Sequence, residues 1–126
     1  MNSKFYVGSY KDDAQNEADI HHGWIVGTFM ENAPRKNENV EIKYWELSKG
    51  DNQNHDTKIS SSIECTFILK GMTKCIIDNE EIILRTGDYI VIQPNTTNNT
   101  VSEILEDTSG LTIKSPSDPS AKTVLK

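Results

Sequence analysis

Short apolar segments separated by polar turns run from residue 24 to residue 114, and this rhythm constrains the fold more than any other feature of the sequence. The segments are rich in aromatic and β-branched side chains, and clusters of Gly, Pro, Asn, Asp and Ser follow them. Such spacing is typical of antiparallel strands joined by short loops. The stretch DAQNEADIHH at residues 13–22 has too few apolar positions for more than one or two helical turns. The sequence therefore predicts an all-β domain of about eight short strands, built as a barrel or a sandwich.

The predicted strands lie at residues 24–30, 40–47, 58–69, 72–78, 81–84, 89–93, 101–105 and 111–114. They place a barrel at residues 23–114, between an N-terminal extension at 1–22 and an extended C-terminal tail at 115–126 that contains two prolines. Lys70 and Gly71 form a predicted tight turn, and we expect the strands on either side of it to pair as a hairpin.

Charge and hydropathy exclude several classes of partner. The 126 residues carry a formal net charge of -6, which disfavours a nucleic-acid polymer because such binding needs a basic surface. No apolar stretch is long enough to cross a membrane, and residues 1–22 lack the apolar core of a signal peptide. We therefore expect a single cytoplasmic domain without a membrane partner. Cys65 and Cys75 are too few for a disulfide framework and are interpreted as small buried residues.

The segment KISSSIECTFIL at residues 58–69 is the most informative strand, because its polar and apolar side chains alternate. One face carries Ile59, Ile63, Cys65, Phe67 and Leu69, and the other carries Lys58, Ser60, Ser62, Glu64 and Thr66. On periodicity alone, the polar face is expected to lie in solvent, as on the exposed side of an antiparallel sheet.

The region from Glu64 to Asn98 resembles the cupin family of small jelly-roll β-barrels. Six residues separate Glu64 from Gly71, as in the first cupin motif, where an inward glutamate precedes a turn glycine. Gly87-Asp88 followed by YIVIQP resembles the strand of the second motif. The resemblance implies a single cupin-type jelly-roll barrel, and it places the polar face of residues 58–69 inside that barrel.

The chain departs from the first cupin motif at its metal-binding histidines. These would fall on Lys58 and Ser60, or on Thr57 and Ile59 if the spacing to Glu64 is one residue longer. Neither alignment supplies a histidine ligand. One carboxylate does not hold a transition metal, since such sites need three or four N, O or S ligands. We therefore expect no metal and no other cofactor.

The second motif lacks its histidine as well, because that position falls on Asn98. His55 lies on a predicted turn and is interpreted as a solvated loop residue. His21 and His22 are adjacent in the sequence and would point to opposite faces of a strand, so they are not a natural pair of ligands. We assign no catalytic residue and no metal-binding residue.

The resemblance implies a pocket lined by Lys58, Ser60, Glu64 and Asn98. A lysine and a carboxylate that are both removed from water must pair with each other or with a ligand. Trp24 and either Tyr44 or Trp45 could add an aromatic wall, because adjacent residues of a strand face opposite ways; we take Tyr44 with Trp24 as candidates. Arg35 could meet a phosphate or carboxylate if its loop folds over the barrel mouth.

These residues predict a metal-free barrel that binds a small, polar, anionic molecule, such as a nucleotide or sugar derivative, for sensing or sequestration. A metal-independent isomerase or epimerase acting on a nucleotide sugar is the alternative, and an open pocket with a histidine supplied by the N-terminal segment would favour it. A purely structural barrel would have a filled interior. We also expect a homodimer in which the segment KFYVGSY at residues 4–10 crosses to the partner.

Overall fold

The computed structural model describes residues 4–51 and 57–125, and most of these lie in strands. Two short helices precede ten strands in chain order. The elements are α1 (Tyr10–Asn16), α2 (Ala18–His21), β1 (Trp24–Val26), β2 (Glu41–Leu47), β3 (Lys58–Ser60), β4 (Ile63–Lys70), β5 (Met72–Ile77), β6 (Glu80–Arg85), β7 (Tyr89–Ile92), β8 (Asn98–Ile104), β9 (Thr108–Ser115) and β10 (Lys122–Val124). No helix within these described ranges is long and apolar enough to cross a membrane.

The strands form two five-stranded antiparallel sheets, which we call the first and the second sheet. The first has the order β1-β2-β9-β4-β7, and the second has the order β10-β3-β8-β5-β6. The chain passes repeatedly from one sheet to the other, as in a jelly roll. The predicted all-β jelly-roll barrel is therefore confirmed.

The single strand predicted at residues 58–69 is two strands. A break at Ser61 and Ser62 sends the chain from β3 in the second sheet to β4 in the first. The Ser62 backbone N–H donates to Ser60 Oγ at 3.1 Å, and Ser62 Oγ donates to the carbonyl oxygen of Pro116 at 3.0 Å. These hydrogen bonds give partners to the Ser62 N–H and the Pro116 carbonyl oxygen at the point where β3 ends and β4 begins. Lys58 and Glu64 consequently belong to different sheets.

The hairpin predicted around Gly71 is wrong. Strands β4 and β5 do not pair with each other, since β4 lies between β9 and β7 while β5 lies between β8 and β6. Gly71 has a φ of 108°, and a Cβ atom there would lie 2.4 Å from the carbonyl oxygen of Asp107. Only glycine therefore fits this turn, which carries the chain between the sheets.

The polar face of β4 points into the barrel, as the resemblance implies and contrary to periodicity alone. Glu64 and Thr66 are 2% and 0% exposed, whereas Phe67 and Leu69 on the other face are each 38% exposed. Buried Ile68 continues the inner face and packs with Cys75 and Leu84 in an apolar cluster between the sheets. The barrel is therefore filled by apolar side chains beside Ile68 and is lined by polar ones around Glu64.

Both chain termini add structure to the barrel. Helix α1 packs on β2, where the ring of Tyr10 lies 4.9 Å from the ring of Tyr44, and buried Ala14 of α1 packs with Ile25 and Tyr44. The helical turns predicted at residues 13–22 are thus present, although α1 begins earlier, at Tyr10. The C-terminal tail is not merely extended, because β10 pairs with β3 and completes the edge of the second sheet.

Candidate functional site

A cavity of about 680 Å³ lies between the two sheets, and we call it the central cavity. Strands β2, β4 and β9 of the first sheet and β3, β8 and β10 of the second contribute side chains to it. Trp45 contacts both this cavity and the apolar cluster around Ile68, so its indole separates the two regions. Its Nε1 donates to Thr112 Oγ1 at 3.1 Å, and Gly110 leaves the space that its ring occupies.

Strand register creates a row of charges across the inner face of the first sheet. Lys114 on β9 lies directly opposite Glu41 on β2 and directly opposite Glu64 on β4. Side chains at such opposed positions have Cβ atoms about 5 Å apart and interact directly. The row Glu41–Lys114–Glu64 follows from antiparallel pairing of three strands that are distant in sequence.

Glu64 is the centre of the charged network. Its Oε1 accepts a hydrogen bond from Lys58 Nζ at 2.7 Å and lies 3.7 Å from Lys114 Nζ. Its Oε2 is buried and has no hydrogen-bond partner within residues 4–51 and 57–125. Because an unpaired buried carboxylate oxygen is costly, this atom is an open acceptor for a donor that the described residues do not supply.

Four lysines line the central cavity: Lys43, Lys58, Lys114 and Lys122. Burial, together with the neighbouring Lys58 and Lys122, lowers the pKa of Lys114 to about 8, against the opposing pull of Glu64 and Glu41. Burial and the same two lysines also lower the pKa of Lys43. Burial, the largest cause of both shifts, thus acts in the same direction as the neighbouring lysines, and both favour the uncharged amine.

An aromatic wall stands beside these lysines. The ring of Trp24 has Lys43 Nζ and Lys114 Nζ each 5.7 Å from its centroid, and Phe29 meets its edge at 6.1 Å between centroids. Distances of this size allow cation–π attraction from both ammonium groups. The wall presents an aromatic face at the place where the positive charge is concentrated.

The N-terminal extension supplies two histidines to the rim. His21 ends α2, and His22 follows it in the left-handed conformation with a φ of 54°. Both line the central cavity, and the ring of His21 lies 5.5 Å from the ring of Phe29. Adjacent side chains point to opposite faces only on a strand. At the end of a helix, as here, both side chains can reach one cavity. His55 lies outside the described residues.

The structure brings together three of the seven predicted site residues, since Trp24, Lys58 and Glu64 all line the central cavity. Ser60 and Asn98 are buried beside it but are absent from its lining. Ser60 Oγ accepts from the Ser62 backbone, and Asn98 Nδ2 donates to the Thr96 carbonyl oxygen at 3.0 Å. Asn98 Oδ1 is buried and has no hydrogen-bond partner among the described residues. That Ser60 and Asn98 take part in one ligand site with Lys58 and Glu64 stays a prediction.

Tyr44 and Arg35 also lie away from the central cavity. Tyr44 faces the opposite side of β2, where it packs under α1 and its hydroxyl donates to Glu46 Oε2 at 2.6 Å. Trp45, its neighbour, takes the inward position. Arg35 forms an ion pair with Glu17, donates through Nε to the Ile25 carbonyl oxygen at 3.0 Å and lines a separate cavity. Arg35 therefore ties the loop to the N-terminal extension and does not reach over the barrel mouth.

Sequence reasoning missed Lys43, Lys114 and Lys122. Lys43 shares the inward face of β2 with Trp45, so the correct choice between Tyr44 and Trp45 would have found it. Lys114 and Lys122 enter through strand pairing across distant parts of the chain, for which the sequence carries no local signal.

The central cavity does not fit a metal ion of the kind that cupins hold. Lys58 Nζ donates a hydrogen bond to Glu64 Oε1, so this carboxylate oxygen is not free to bind a metal. Among the described residues, no group of three or more His, Cys, Asp or Glu side chains is arranged to hold one. We derive no chemistry through a metal.

Solved structures that resemble this one include proteins described as cupins. An RmlC-like cupin with a double-stranded β-helix fold from Methanocaldococcus jannaschii has a TM-score of 0.56 and 20% identity, over 64% of this chain and 73% of that one. An RmlC-like cupin from Shewanella frigidimarina has a TM-score of 0.58 and 13% identity, over 66% and 71%. Streptomyces PAC13 with uridine has a TM-score of 0.59 and 11% identity, over 71% of each chain. The chain therefore has the cupin fold.

No protein-family model and no curated protein matches the chain. The likeness thus concerns the fold, and the function has to be argued from the central cavity itself.

Proposed function

We propose that the protein is a metal-free cupin-fold barrel that binds a small anionic molecule in its central cavity, such as a nucleotide or a sugar derivative, in order to sense or sequester it. The observation that carries the proposal is the convergence of four lysines around a buried carboxylate whose second oxygen has no partner among the described residues.

The charge balance of the cavity lining favours an anion. Among residues 4–51 and 57–125, four lysines line it against three carboxylates, which belong to Glu41, Glu64 and Asp118. Glu41 Oε1 already accepts a hydrogen bond from Ser117 Oγ at 3.1 Å. A phosphate or carboxylate between the lysines would relieve their mutual repulsion and would restore full protonation of Lys114. The overall charge of -6 does not oppose this, because a cavity responds to its own walls.

The open oxygen of Glu64 adds a second requirement for the ligand. Oε2 accepts hydrogen bonds only, so the matching group is a hydroxyl or an N–H. A molecule that combines an anionic group with such a donor would satisfy both parts of the site. Nucleotides and sugar phosphates have this combination.

The aromatic wall suits a ring, since a base or a sugar can stack on Trp24 while its anionic group meets Lys43 and Lys114. The occurrence of uridine with Streptomyces PAC13, a protein of the same fold, supports a base or sugar ring as part of the ligand, although uridine itself carries no anionic group.

A metal-independent isomerase or epimerase is the second candidate, and one observation favours it. His21 and His22 line the central cavity from the N-terminal extension, which supplies the imidazole that residues 58–69 lack. A general base there could move a proton on a bound sugar. Conversion of a bound nucleotide sugar, abolished by His21→Gln or His22→Gln with binding retained, would establish the enzyme and replace the sensing role.

A thermal-shift screen tests the proposal. The panel contains uridine monophosphate, a UDP-sugar, sugar phosphates and dicarboxylic acids, each beside a neutral counterpart such as uridine or the free sugar. A ligand at about 100 times its dissociation constant adds about 2.7 kcal/mol to the free energy of unfolding. We expect stabilisation by at least one anion, greater than by its neutral counterpart.

Two variants locate the binding. Lys43→Gln should reduce the shift, and Lys70→Gln, at an exposed position on β4, should leave it unchanged. If no anion stabilises the protein, or if both variants respond like the parent, the central cavity is not the site. The proposal also retains the cytoplasmic location and the lack of a resident metal predicted from sequence. Stoichiometric iron, manganese, nickel or zinc that survives mild chelation would contradict the latter.

A further inference from the structure

We propose that Lys114 is a carbonyl-reactive amine that forms an imine with an aldehyde or ketone bearing an anionic group, bound in the central cavity. The inference rests on the proposed anion site and adds a covalent step to it. Neither the cupin resemblance nor the neighbouring structures point to this residue.

The position of Lys114 separates it from the other lysines of the cavity. It is 7% exposed, and it lines the cavity from the middle strand of the first sheet. Lys58 Nζ donates a hydrogen bond to Glu64 Oε1 at 2.7 Å, whereas Lys114 Nζ lies 3.7 Å from the same oxygen. Lys122 is exposed on the edge strand β10. Lys114 is thus a buried amine beside Glu64, and Lys58 makes the shorter contact to that carboxylate.

The surroundings favour the neutral form of this amine, which is the nucleophile. Lys58 and Lys122 face Lys114 from the second sheet, while Lys43, Glu41 and Glu64 lie on its own sheet and His21 and His22 line the rim. Burial and the two lysines outweigh the carboxylates, so the pKa of Lys114 falls to about 8. Lysines placed near other cations in a desolvated pocket are activated in this way for imine chemistry.

The chemical step is balanced without an oxidant, a reductant or a metal. The Nζ lone pair attacks the carbonyl carbon, and the carbonyl oxygen takes up the proton that the nitrogen releases. The resulting carbinolamine loses its hydroxyl group together with the remaining N–H proton as water, and the nitrogen electron pair forms the carbon–nitrogen double bond. Lys43 and Lys58 remain to hold the anionic group, and Glu64 Oε2 remains to accept a hydroxyl donated by the ligand.

Pyridoxal phosphate is a suitable probe, since it joins an aldehyde, a phosphate and an aromatic ring. The protein is incubated with substoichiometric probe and treated with borohydride, which delivers hydride to the imine carbon and leaves a stable secondary amine. Peptide mass spectrometry then locates the label. We expect Lys114 to react about tenfold faster than exposed Lys70, because its larger neutral fraction outweighs the lower basicity of its nitrogen.

Two variants and a pH series make the test decisive. Lys114→Arg keeps the positive charge without a reactive amine and should lose the fast label, while Lys70→Arg should keep it. In the unmodified chain, the labelling rate should rise with a midpoint near pH 8, the pKa of Lys114. Fast label on Lys43 or Lys58, or label spread over surface lysines, would overturn the proposal even if Lys114→Arg fails to fold.

A non-covalent analogue separates this inference from the proposed function. Pyridoxine phosphate carries an alcohol in place of the aldehyde and can bind only reversibly. If it stabilises the protein against heat but pyridoxal phosphate does not label Lys114, the anion site stands and the reactive amine is wrong. If neither compound binds and no anion of the thermal-shift panel does, both proposals are wrong.

Discussion

Lys58 and Glu64 join the two sheets of the barrel through one hydrogen bond, 2.7 Å long, from Nζ to Oε1. Lys58 belongs to β3 of the second sheet, and Glu64 belongs to β4 of the first. The two residues are only six positions apart in the sequence, yet they lie on different sheets because the chain crosses between the sheets at Ser61 and Ser62. A break in one predicted strand thus creates both the crossing and the charged pair at the centre of the cavity.

The first prediction concerns the energy of this pair. Removing one partner of a buried ion pair leaves the other charge uncompensated, at a cost of about 3–5 kcal/mol when burial is complete. Lys58→Met should cost less, roughly 1–3 kcal/mol, because Lys114 remains near Glu64 and the Lys58 side chain is 18% exposed. Urea denaturation measures the change.

The matched control is Lys74→Met. Lys74 contacts Glu81 and Glu103 at 3.5 and 3.6 Å, but both carboxylates are more than half exposed, so its loss should cost at most about 1 kcal/mol. Equal losses for the two variants would show that the Lys58–Glu64 pair is not buried. In binding assays, Lys58→Ala should weaken an anionic ligand by roughly 1–3 kcal/mol, and Glu64→Gln should alter affinity with the fold intact.

The second prediction concerns the pH dependence of stability. The pKa of Lys114 in the folded chain, about 8, lies below its ordinary value of 10.5, so the unfolded chain binds more protons between these values. The free energy of unfolding should therefore rise with pH above about 8, by at most about 1.4 kcal/mol per pH unit from this group. Lys43, whose pKa is also lowered, contributes with the same sign.

Denaturation between pH 7 and 9 measures this slope. The Cys75 thiol, whose pKa burial raises from 9.0 to about 11, contributes the opposite slope as the pH approaches 9, so the rise is read from the lower part of this range. Lys114→Met should flatten the profile and raise stability at pH 7 by roughly 1–3 kcal/mol, since it removes a buried charge. A variant less stable than the parent, with the slope preserved, would refute the account of Lys114.

The third prediction is the homodimer expected from sequence. Strand β7 forms an edge of the first sheet, and Tyr89 stacks there on Phe67 with both rings exposed. Phe5 and Val7 of the N-terminal segment are 75% and 82% exposed. An uncovered apolar edge and an exposed apolar segment are complementary between two copies. Sedimentation should give twice the chain mass of 14.2 kDa.

Val7→Asp should shift the dimer toward the monomer. Leu125→Asp places the same charge at another exposed apolar position, at the C-terminal end, and should leave the mass unchanged. A parent mass of 14.2 kDa would remove the dimer.

The fold was predictable because it depends on local signals that reinforce one another. Strand rhythm, the Gly71 turn and the spacing from Glu64 all indicate a cupin-type jelly roll. The inward orientation of Glu64 came from the resemblance, since alternation alone gives two faces without saying which is buried.

The cavity was only partly predictable because its charges meet through pairing of distant strands. Lys114 lies opposite Glu64 by register, and Lys122 enters through β10, which the sequence suggested only as an extended tail. Alternation does not decide between Tyr44 and Trp45, because either aromatic residue suits either face of a strand. The two rim histidines were set aside on the assumption of a strand, whereas the chain there is helical.

The attraction of the central cavity for small anions is tested most directly by quenching of tryptophan fluorescence. Trp24 and Trp45 are the two tryptophans of the chain, and both line this cavity. The overall charge of -6 would by itself draw caesium ions toward the protein and repel iodide. At low ionic strength we expect the reverse: iodide quenches more strongly than caesium when each ion is scaled to its quenching of free tryptophan, and Lys43→Gln with Lys114→Gln removes the difference. Quenching by caesium that equals or exceeds quenching by iodide in the parent protein would contradict the anion site.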